Sequence, residues 1–554
     1  MRTLDWVVLV GSLVFILLYG MWKGRGSRTV ASYLLANKTM PWWAMGLSIM
    51  ATQASAITFI GTTSQAYVDG MRFVQFYFGL PLAMVILSAT AVPRFYGSGV
   101  YTAYEYLEKR FDLKTRTLTA IVFLIQRGLG VGVALYAPAV ALSVLFGWSD
   151  RWTILTMGLL VITYTVFGGI QAVTWTDVQQ MMIMFLGVGV ALAAAVLRLP
   201  EGVSASDAFY LAGVSGKLNA VDLSFDWKNR YNLWSGLIGG MFLALSYFGC
   251  DQSQVQRYLT GKSIGHSRTS LIFNAVMKVP MQFAILLTGA LVFVFFLFEP
   301  PPMLFHRAER EQAEQRAGYG QAEAAYQQAF EARRAAARQL LEARDPAARE
   351  QYLAAHRNLQ AARQGGIGVL GHPYDDTNHI FLTFVTRYLP AGVVGLILAA
   401  IFAAAMSTIS AELNSLATAT VIDLYQRRIR RDATDAHYVA ASRWATAFWG
   451  LYAMWFATFG SRLGSLIEAV NLVGSLFYGS VLGVFVLAFF VPRATGTGAC
   501  LGLGAGLATV LWVSRNTEIA YLWYNVLGCL VVVLVGTLAG MREASQKSNV
   551  KSQK

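Results

Sequence analysis

Charged residues are scarce in this chain. They make up 13% of its 554 residues, whereas 56% of the residues are hydrophobic, and the mean hydropathy is +0.48. A water-soluble protein cannot bury that much apolar surface, so the composition excludes the soluble classes. Repeated apolar segments of about 20 residues, as a bilayer demands, predict an all-α polytopic membrane protein with about thirteen transmembrane helices.

Cysteine and histidine are also rare, and neither is spaced for metal binding. The three cysteines, Cys250, Cys500 and Cys529, lie apart in apolar segments, which argues against a disulfide framework. Four of the six histidines (His306, His356, His372 and His379) fall in or beside one polar segment, where solvated side chains are expected. The chain lacks a P-loop, so nothing indicates that ATP drives it, and it carries no enzyme signature.

Positive charges outnumber negative ones, and their placement predicts the topology. The formal net charge is +14, which in a membrane protein indicates basic cytoplasmic loops rather than nucleic-acid binding. The first apolar run, Trp6 to Met21, lacks a cleavage site and is expected to remain as a helix. We therefore predict a protein of the cell membrane with its N-terminus outside and its C-terminus in the cytoplasm. Its expected partners are the lipid bilayer and a small solute, with no obligatory protein partner.

One segment differs in composition from the rest. Residues 300–371 are rich in Ala, Gln, Glu and Arg at helical spacing. This pattern predicts a soluble helical hairpin inserted on the outer side of the membrane, since long loops escape the positive-inside rule. A solvated charged coil is the default interpretation, and a gating or partner-binding role is the alternative.

Two apolar segments are interrupted by small and hydroxyl residues. The first runs from Met50 to Tyr67 (MATQASAITFIGTTSQAY), and the second is AAAMSTISAELNSLATAT in the other half of the chain. Such residues serve either helix packing or a broken helix that exposes its carbonyls to a binding site. One tract in each half is the pattern of secondary transporters built from inverted repeats, which predicts two broken helices.

The oxygen atoms of these tracts suit a small alkali cation. Ser407, Thr408 and Ser410 fall within one helical turn, and an unwound backbone at Ala51 and Ala54 exposes carbonyl groups. Hydroxyl and carbonyl oxygens are hard ligands, which a small alkali cation accepts without a carboxylate. Each hydroxyl alone is weak evidence, because Ser and Thr in a span usually bond back to their own helix.

A few ionisable residues lie within or near predicted spans. Asp177 begins one span and is either a functional group or an N-terminal helix cap. Arg127 lies deeper and either attracts an anionic substrate, holds a partner carboxylate or extends towards the cytoplasmic surface. For Lys278 and Glu412, nearer the cytoplasmic side, a structural ion pair is expected rather than a substrate contact.

Five motifs in this order resemble the sodium:solute symporter family, which includes the sodium/glucose, sodium/proline and sodium/iodide cotransporters. They are ASAITFIGTTSQAY, TAYEYLEKRF, GGIQAVTWTDVQQ, SYFGCDQSQVQRYL and AAAMSTISAELNSLATATVIDLY. The resemblance runs from about residue 40 to 490 outside the insertion and implies the LeuT-type fold of two inverted five-helix repeats. The repeats would be residues 41–198 and 232–491, with additional segments at 1–40 and 492–554.

The resemblance also implies which residues bind sodium. The principal site matches the carbonyls of Ala51, Ala54 and Ala404 and the hydroxyls of Ser407 and Thr408. Some members bind a second sodium through the aspartate of the WTD motif and nearby serines. For that site Asp177 and Ser410 match, but Ala411 stands where a serine would help.

The solute pocket of relatives maps onto a separate set of residues. Gln53, Thr58, Tyr247 and Asn471 match it, with Tyr247 as the inner aromatic gate. Sugar carriers have a Glu–Gln pair where this chain has Ile57 and Thr58, and the segment IQRGLGVGVALYAPAVAL is more similar to the iodide, monocarboxylate and vitamin carriers. Together with Arg127, this favours an anionic organic solute.

These observations predict a sodium-coupled symporter that works by alternating access. The alternatives are a sodium-coupled carrier of a neutral sugar or amino acid, a transporter-like sensor and a channel-like uniporter. The sensor alternative predicts a signalling domain after the last span, where this chain has a short basic tail.

Overall fold

A computed structural model describes residues 2–24, 29–146, 150–459 and 466–552, and helices dominate them. The all-α fold class is therefore confirmed. In the first part of the chain the helices are α1 (Thr3–Gly24), α2 (Val30–Leu35), α3 (Trp42–Gln53), α4 (Thr63–Asp69), α5 (Leu80–Ala89), α6 (Ala91–Ser98), α7 (Ala103–Arg110), α8 (Leu113–Phe146), α9 (Asp150–Leu197) and α10 (Ala205–Val214).

The remainder of the chain is equally helical. It comprises α11 (Gly240–Gly249), α12 (Gln252–Leu259), α13 (Ile264–Phe298), α14 (Arg307–Ala313), α15 (Tyr319–Ala343), α16 (Pro346–Gly368), α17 (Thr377–Tyr388), α18 (Val393–Thr418), α19 (Asp435–Ala457), α20 (Leu466–Phe490), α21 (Gly496–Asn516) and α22 (Leu522–Ser552). Wider π-helical turns occupy Thr58–Thr62, Ser235–Gly239 and Ala419–Ile429, and narrower 3₁₀ turns occupy Ala36–Lys38 and Gly70–Tyr77.

Among the described residues, nine helical segments are long and apolar enough to cross a membrane. Two shorter apolar helices, Arg151–Thr163 and Ser235–Gly249, accompany them. The count of thirteen spans thus remains a prediction. The nine segments are Thr3–Lys23, Thr58–Ser98, Leu113–Ala139, Gly169–Leu197, Ile264–Phe298, Val393–Ile429, Leu466–Phe490, Gly496–Asn516 and Leu522–Glu543.

A glycine divides α9 into two helical segments. Gly169 has φ 63° and ψ 179°, a left-handed conformation that only glycine adopts readily. A Cβ at this position would also lie 2.9 Å from Cδ2 of Tyr33, which packs against the turn. The chain is therefore kinked between the two segments, and Asp177 lies about two turns into the second one.

The first polar tract breaks its helix, as predicted. Helix α3 ends at Gln53, Ala54 has the non-helical dihedrals φ −85° and ψ 76°, and regular α-helix resumes only with α4. Within the described chain, no backbone amide donates to the carbonyl oxygen of Ala51 or Ala54. The break thus leaves two buried carbonyl groups available to a ligand.

The second polar tract does not break its helix, so the prediction of two broken helices is wrong for this one. Helix α18 is continuous from Val393 to Thr418. Most of its hydroxyl groups donate back to carbonyls in the preceding turn, as from Ser410 to Ser407 (3.0 Å) and from Thr418 to Asn414 (2.7 Å). This local bonding satisfies the polar side chains without opening the backbone. Nearly the whole helix is buried against α1, α3, α8, α9 and α19.

The inserted segment is a docked hairpin rather than a solvated coil. Helices α15 and α16 pack along each other over a small apolar core that includes Tyr326, Phe330 and Leu359. The buried Arg333 donates to the carbonyl of Phe296 (2.6 Å) in the last turn of α13, where the helix has unpaired carbonyls and a favourable dipole for a cation.

Two histidines expected to be solvated are not: His356 is partly buried on α16 of the hairpin, and His379 is buried on α17. Burial lowers the pKa of His356 to about 4 and that of His379 to about 3. The ring of His356 packs against Phe293 of α13, and His379 lies on α17 against His306. Both imidazoles are therefore neutral at neutral pH and form part of the packing.

We expect Arg333→Gln to loosen the hairpin from the end of α13. A hydrogen bond from a charged donor contributes about 1.5–3 kcal/mol, so limited proteolysis within residues 319–368 should become about tenfold faster or more. Arg338→Gln is the matched control, because Arg338 is exposed on the same helix. Equal cleavage rates in the two variants would show that Arg333 does not anchor the hairpin.

Candidate functional site

All five residues that were predicted to contact the solute line a single cavity. It lies between the break after α3 and helices α8, α11, α18 and α20, and its volume is about 90 Å³. The helix break supplies Gln53 and Thr58, whereas Arg127, Tyr247 and Asn471 come from α8, α11 and α20. The other lining residues are Thr52, Ser55, Ile57, Phe76, Tyr77, Ala134, Leu243, Thr408, Glu412, Ile467, Val470 and Tyr478.

The candidate cation ligands adjoin this cavity. Thr408 of α18 donates a hydrogen bond to the carbonyl oxygen of Thr52 (3.1 Å), which ties α18 to the last turn of α3. The unpaired carbonyls of Ala51 and Ala54 belong to the same break. A donating hydroxyl keeps its lone pairs, so the Thr408 oxygen remains able to accept a cation. The chemistry of this donor set fits Na⁺.

Asp177 joins three helices in the interior of the protein. The Ser48 hydroxyl on α3 donates to its Oδ2 (2.5 Å), and the Ser407 hydroxyl on α18 donates to its Oδ1 (2.7 Å). Arg257 of α12 forms an ion pair with the same carboxylate (3.3 Å) and donates to Thr52 through Nε. Because Asp177 lies two turns inside its helical segment, its interpretation as an N-terminal cap is wrong.

Asp177 and Ser410, the pair expected for a second sodium, are not hydrogen-bonded to each other in the described structure. Ala404 and Ser407 lie one turn apart on α18, and both are fully buried. Ser410 donates its hydroxyl to the carbonyl of Ser407 (3.0 Å) and not to Asp177. The Asp177 carboxylate already faces a guanidinium cation from Arg257.

Arg127 is held by two carboxylates. Its Nη1 donates to Oε1 of Glu412 (2.7 Å), while its Nη2 contacts Asp251 and the Tyr478 hydroxyl (3.0 Å). The guanidinium also lies 5.3 Å from the centre of the Tyr247 ring. These contacts exclude the interpretation that Arg127 extends towards the cytoplasmic surface, and they confirm that Glu412 forms an ion pair.

Tyr247 belongs to an aromatic group on the same side of the cavity. Its ring lies 6.0 Å from that of Tyr478, and its hydroxyl accepts a hydrogen bond from Gln254 (2.8 Å). These two rings pack edge to face, contact Arg127 and line that side of the cavity.

Sequence reasoning missed several residues around the cavity. Glu412 lines it, although it was expected to have only a structural role, and Asp251, Tyr77 and Tyr478 were not singled out. Asp251 stands inside the quoted motif SYFGCDQSQVQRYL, directly before α12, and an acidic residue at that place was a usable signal for a helix cap. Lys278 forms no ion pair with any described residue, so the structural ion pair predicted for it is wrong; it lies behind the cavity wall, 5.6 Å from the Tyr77 ring.

Comparison with known proteins identifies relatives along most of the chain. The sequence model of the sodium:solute symporter family matches residues 33–302 and 356–506, and the unmatched stretch between them lies mainly in the inserted hairpin. A sodium-dependent multivitamin transporter from Oryctolagus cuniculus is 30% identical over 513 residues, which are 92% of this chain and 70% of the relative. A sodium/sialic acid symporter from Aliivibrio fischeri is 27% identical, and the alignment covers 97% of this chain and 92% of the symporter.

A solved structure shows the same fold. It is the structure of a Na⁺-coupled sialic acid symporter in a substrate-bound, outward-open state. The two chains superpose with a TM-score of 0.77 at 24% sequence identity, and the match covers 97% of this chain and 98% of the symporter chain. The LeuT-type fold class expected from the sequence motifs is thereby confirmed.

We expect Thr408→Val to raise the sodium concentration needed for half-maximal transport. Valine keeps the shape of threonine but removes the oxygen, and a roughly tenfold increase corresponds to the loss of an interaction of about 1.4 kcal/mol. The half-maximal sodium concentration is measured from initial uptake rates over a series of sodium concentrations. Thr446→Val on α19, a buried site whose hydroxyl only bonds back to Ser442, is the control. An unchanged sodium dependence in Thr408→Val would remove this residue from the site.

We expect Asp177→Asn to destabilise the folded protein by about 3–5 kcal/mol, because it leaves the buried Arg257 without its carboxylate. The double variant Asp177→Asn with Arg257→Gln should recover part of the loss. Thermal unfolding of the purified protein, followed by tryptophan fluorescence, measures both. Wild-type stability in the single variant would contradict a structural role for the ion pair.

Proposed function

Because this chain belongs to the sodium:solute symporter family, with sodium as the coupling ion, we propose that it carries a small organic anion across the cell membrane by alternating access. The proposed solutes are monocarboxylates and acidic sugars. The similar proteins include sodium/sialic acid symporters and a human sodium-coupled monocarboxylate transporter that is 29% identical over 93% of this chain. The proposal extends their solute class to this protein.

The observation that carries the proposal is a cation in the wall of the cavity. Arg127 lies beside the polar groups of Gln53, Thr58 and Asn471, and its Nε has no hydrogen-bond partner among the described residues. A guanidinium binds carboxylates with directed, charge-assisted hydrogen bonds. The cavity thus offers a positive group, its partner carboxylate Glu412 and neutral polar groups to one solute.

We propose that sodium binds next to this cavity, at the junction of the broken helix and α18. Its ligands would be the carbonyls of Ala51, Ala54 and Ala404 and the hydroxyls of Ser407 and Thr408. The free carbonyls of the break support this proposal, because a cation would satisfy them and order the segment that carries Gln53 and Thr58. Sodium would thereby favour the conformation that binds the solute.

A second sodium at Asp177 and Ser410 would require a rearrangement. Arg257 would have to leave the carboxylate and Ser410 would have to turn from the Ser407 carbonyl. We therefore propose one sodium site for this conformation. The repeat boundaries at 41–198 and 232–491, the outer position of the hairpin and the outside N-terminus belong to the same proposal.

A second candidate function is sodium-coupled transport of a neutral sugar or amino acid. The observation that favours it is the pairing of Arg127 with both Glu412 and Asp251, which already balances its charge. A sodium/glucose cotransporter from Vibrio parahaemolyticus is also 27% identical over 92% of this chain.

Uptake into proteoliposomes with and without an inward sodium gradient tests the proposal. The labelled solutes are pyruvate, L-lactate, sialic acid, glucose and L-alanine. We expect an anion to accumulate only with the gradient, and Arg127→Gln to reduce that uptake by roughly tenfold or more through loss of a charge-assisted hydrogen bond. Arg230→Gln, which alters a half-exposed ion pair with Glu468, is the control.

The outcomes separate the two candidates. Sodium-driven accumulation of glucose or alanine without any anion would replace the first candidate with the second. Accumulation of an anion that is indifferent to the sodium gradient would contradict symport.

A further inference from the structure

The Arg127–Glu412 ion pair leaves two buried polar atoms unused. Arg127 uses both terminal nitrogens, and Glu412 uses only Oε1. In the described part of the protein, neither Nε of Arg127 nor Oε2 of Glu412 has a hydrogen-bond partner. Both residues are 3% exposed, so bulk water does not compensate these atoms. An unpaired donor and an unpaired acceptor therefore remain on one ion pair.

The other carboxylate of the network is fully engaged. One oxygen of Asp251 contacts Arg127, and its Oδ1 accepts from the amide nitrogen (2.9 Å) and hydroxyl (2.7 Å) of Ser253 at the start of α12. Asp251 does not line the cavity, whereas Arg127 and Glu412 both do. The two carboxylates thus differ in role: Asp251 fixes the guanidinium, and Glu412 is available to a solute.

The charge of the network restricts what can bind there. One guanidinium and two carboxylates sum to −1 when all are ionised, so a solute that offers only a carboxylate would meet net repulsion. A solute that also offers a hydrogen-bond donor satisfies the Glu412 oxygen while its carboxylate reaches Arg127. A solute with a carboxylate next to a hydrogen-bond donor therefore matches the cation of Arg127 next to the acceptor oxygen of Glu412.

We propose that Arg127 and Glu412 form a bipolar subsite that selects carboxylates carrying a donor on the neighbouring carbon. Nε of Arg127 binds the carboxylate, and Oε2 of Glu412 accepts from a hydroxyl or an ammonium group. The solute class is therefore 2-hydroxy or 2-amino carboxylates. The inference rests on the proposed carriage of a carboxylate and names the second group by which the site recognises it.

Four three-carbon carboxylates test this subsite at saturating sodium. L-Lactate has a hydroxyl donor, L-alanine has an ammonium donor, pyruvate has only a keto acceptor and propionate has no polar substituent. We expect lactate or alanine to have a KM roughly tenfold to a hundredfold lower than that of propionate in the wild-type protein. The better of the two identifies whether a hydroxyl or an ammonium group is the natural donor.

Glu412→Gln gives the second test. If the amide oxygen keeps the bond to Nη1 of Arg127, its NH₂ group replaces Oε2, and an acceptor becomes a donor. The variant should then lose the preference for lactate over propionate and gain a preference for pyruvate over lactate, while its half-maximal sodium concentration stays the same. Glu468→Gln is the control, because it makes the same change in a surface ion pair with Arg230.

The outcomes distinguish this inference from the proposed function. Equal KM values for lactate, alanine and propionate in the wild-type protein would overturn the bipolar subsite, even if Glu412→Gln cannot be purified in folded form. So would an unchanged order of preference in a folded Glu412→Gln protein. In both cases sodium-driven uptake of an anionic carboxylate would leave the proposed function standing. Sodium-driven uptake of alanine alone would keep the subsite but replace the first candidate function with the second, whereas the absence of sodium-driven uptake of all four carboxylates would overturn the subsite and the proposed function together.

Discussion

The carboxylate of Asp177 is the constraint on which the centre of the protein depends. It is buried, and it connects Ser48 on α3, Ser407 on α18 and Arg257 on α12, while α9 carries it. A buried charge is tolerated only when it is paired and hydrogen-bonded. These four helices must therefore meet in one register, and this register places the end of α3 against the hydroxyl groups of α18.

That register also places the helix break at the cavity. The carbonyls of Ala51 and Ala54 could not remain unpaired in contact with lipid, because no group there would compensate them. They belong to a break whose neighbouring carbonyl, that of Thr52, accepts a hydrogen bond from Thr408, a residue that lines the cavity. In the proposed mechanism, sodium at this break and solute in the cavity would be linked through Gln53 and Thr58, which lie on the same short segment.

Features that depend on local composition could be predicted from the sequence, whereas features that depend on tertiary contacts could not. The helix break after Gln53 follows from its small and hydroxyl residues, and the family resemblance together with Arg127 predicted five solute-binding residues that all line one cavity. The second polar tract has similar composition, but most of its hydroxyls bond within α18, an outcome that spacing alone does not determine. The pairing of Arg127 with Glu412, 285 positions away, depends on tertiary structure, and no local pattern reveals it.

Charge balance explains why a single arginine is insufficient to identify the solute. Arg127 alone suggests an anion, but its two carboxylate partners make the network negative in sum. The decisive quantity is the set of hydrogen-bonding atoms that remain unused after the protein has satisfied its own charges. On Arg127 and Glu412 these are one donor and one acceptor, so the site distinguishes solutes by the group next to the carboxylate, more than by the carboxylate itself.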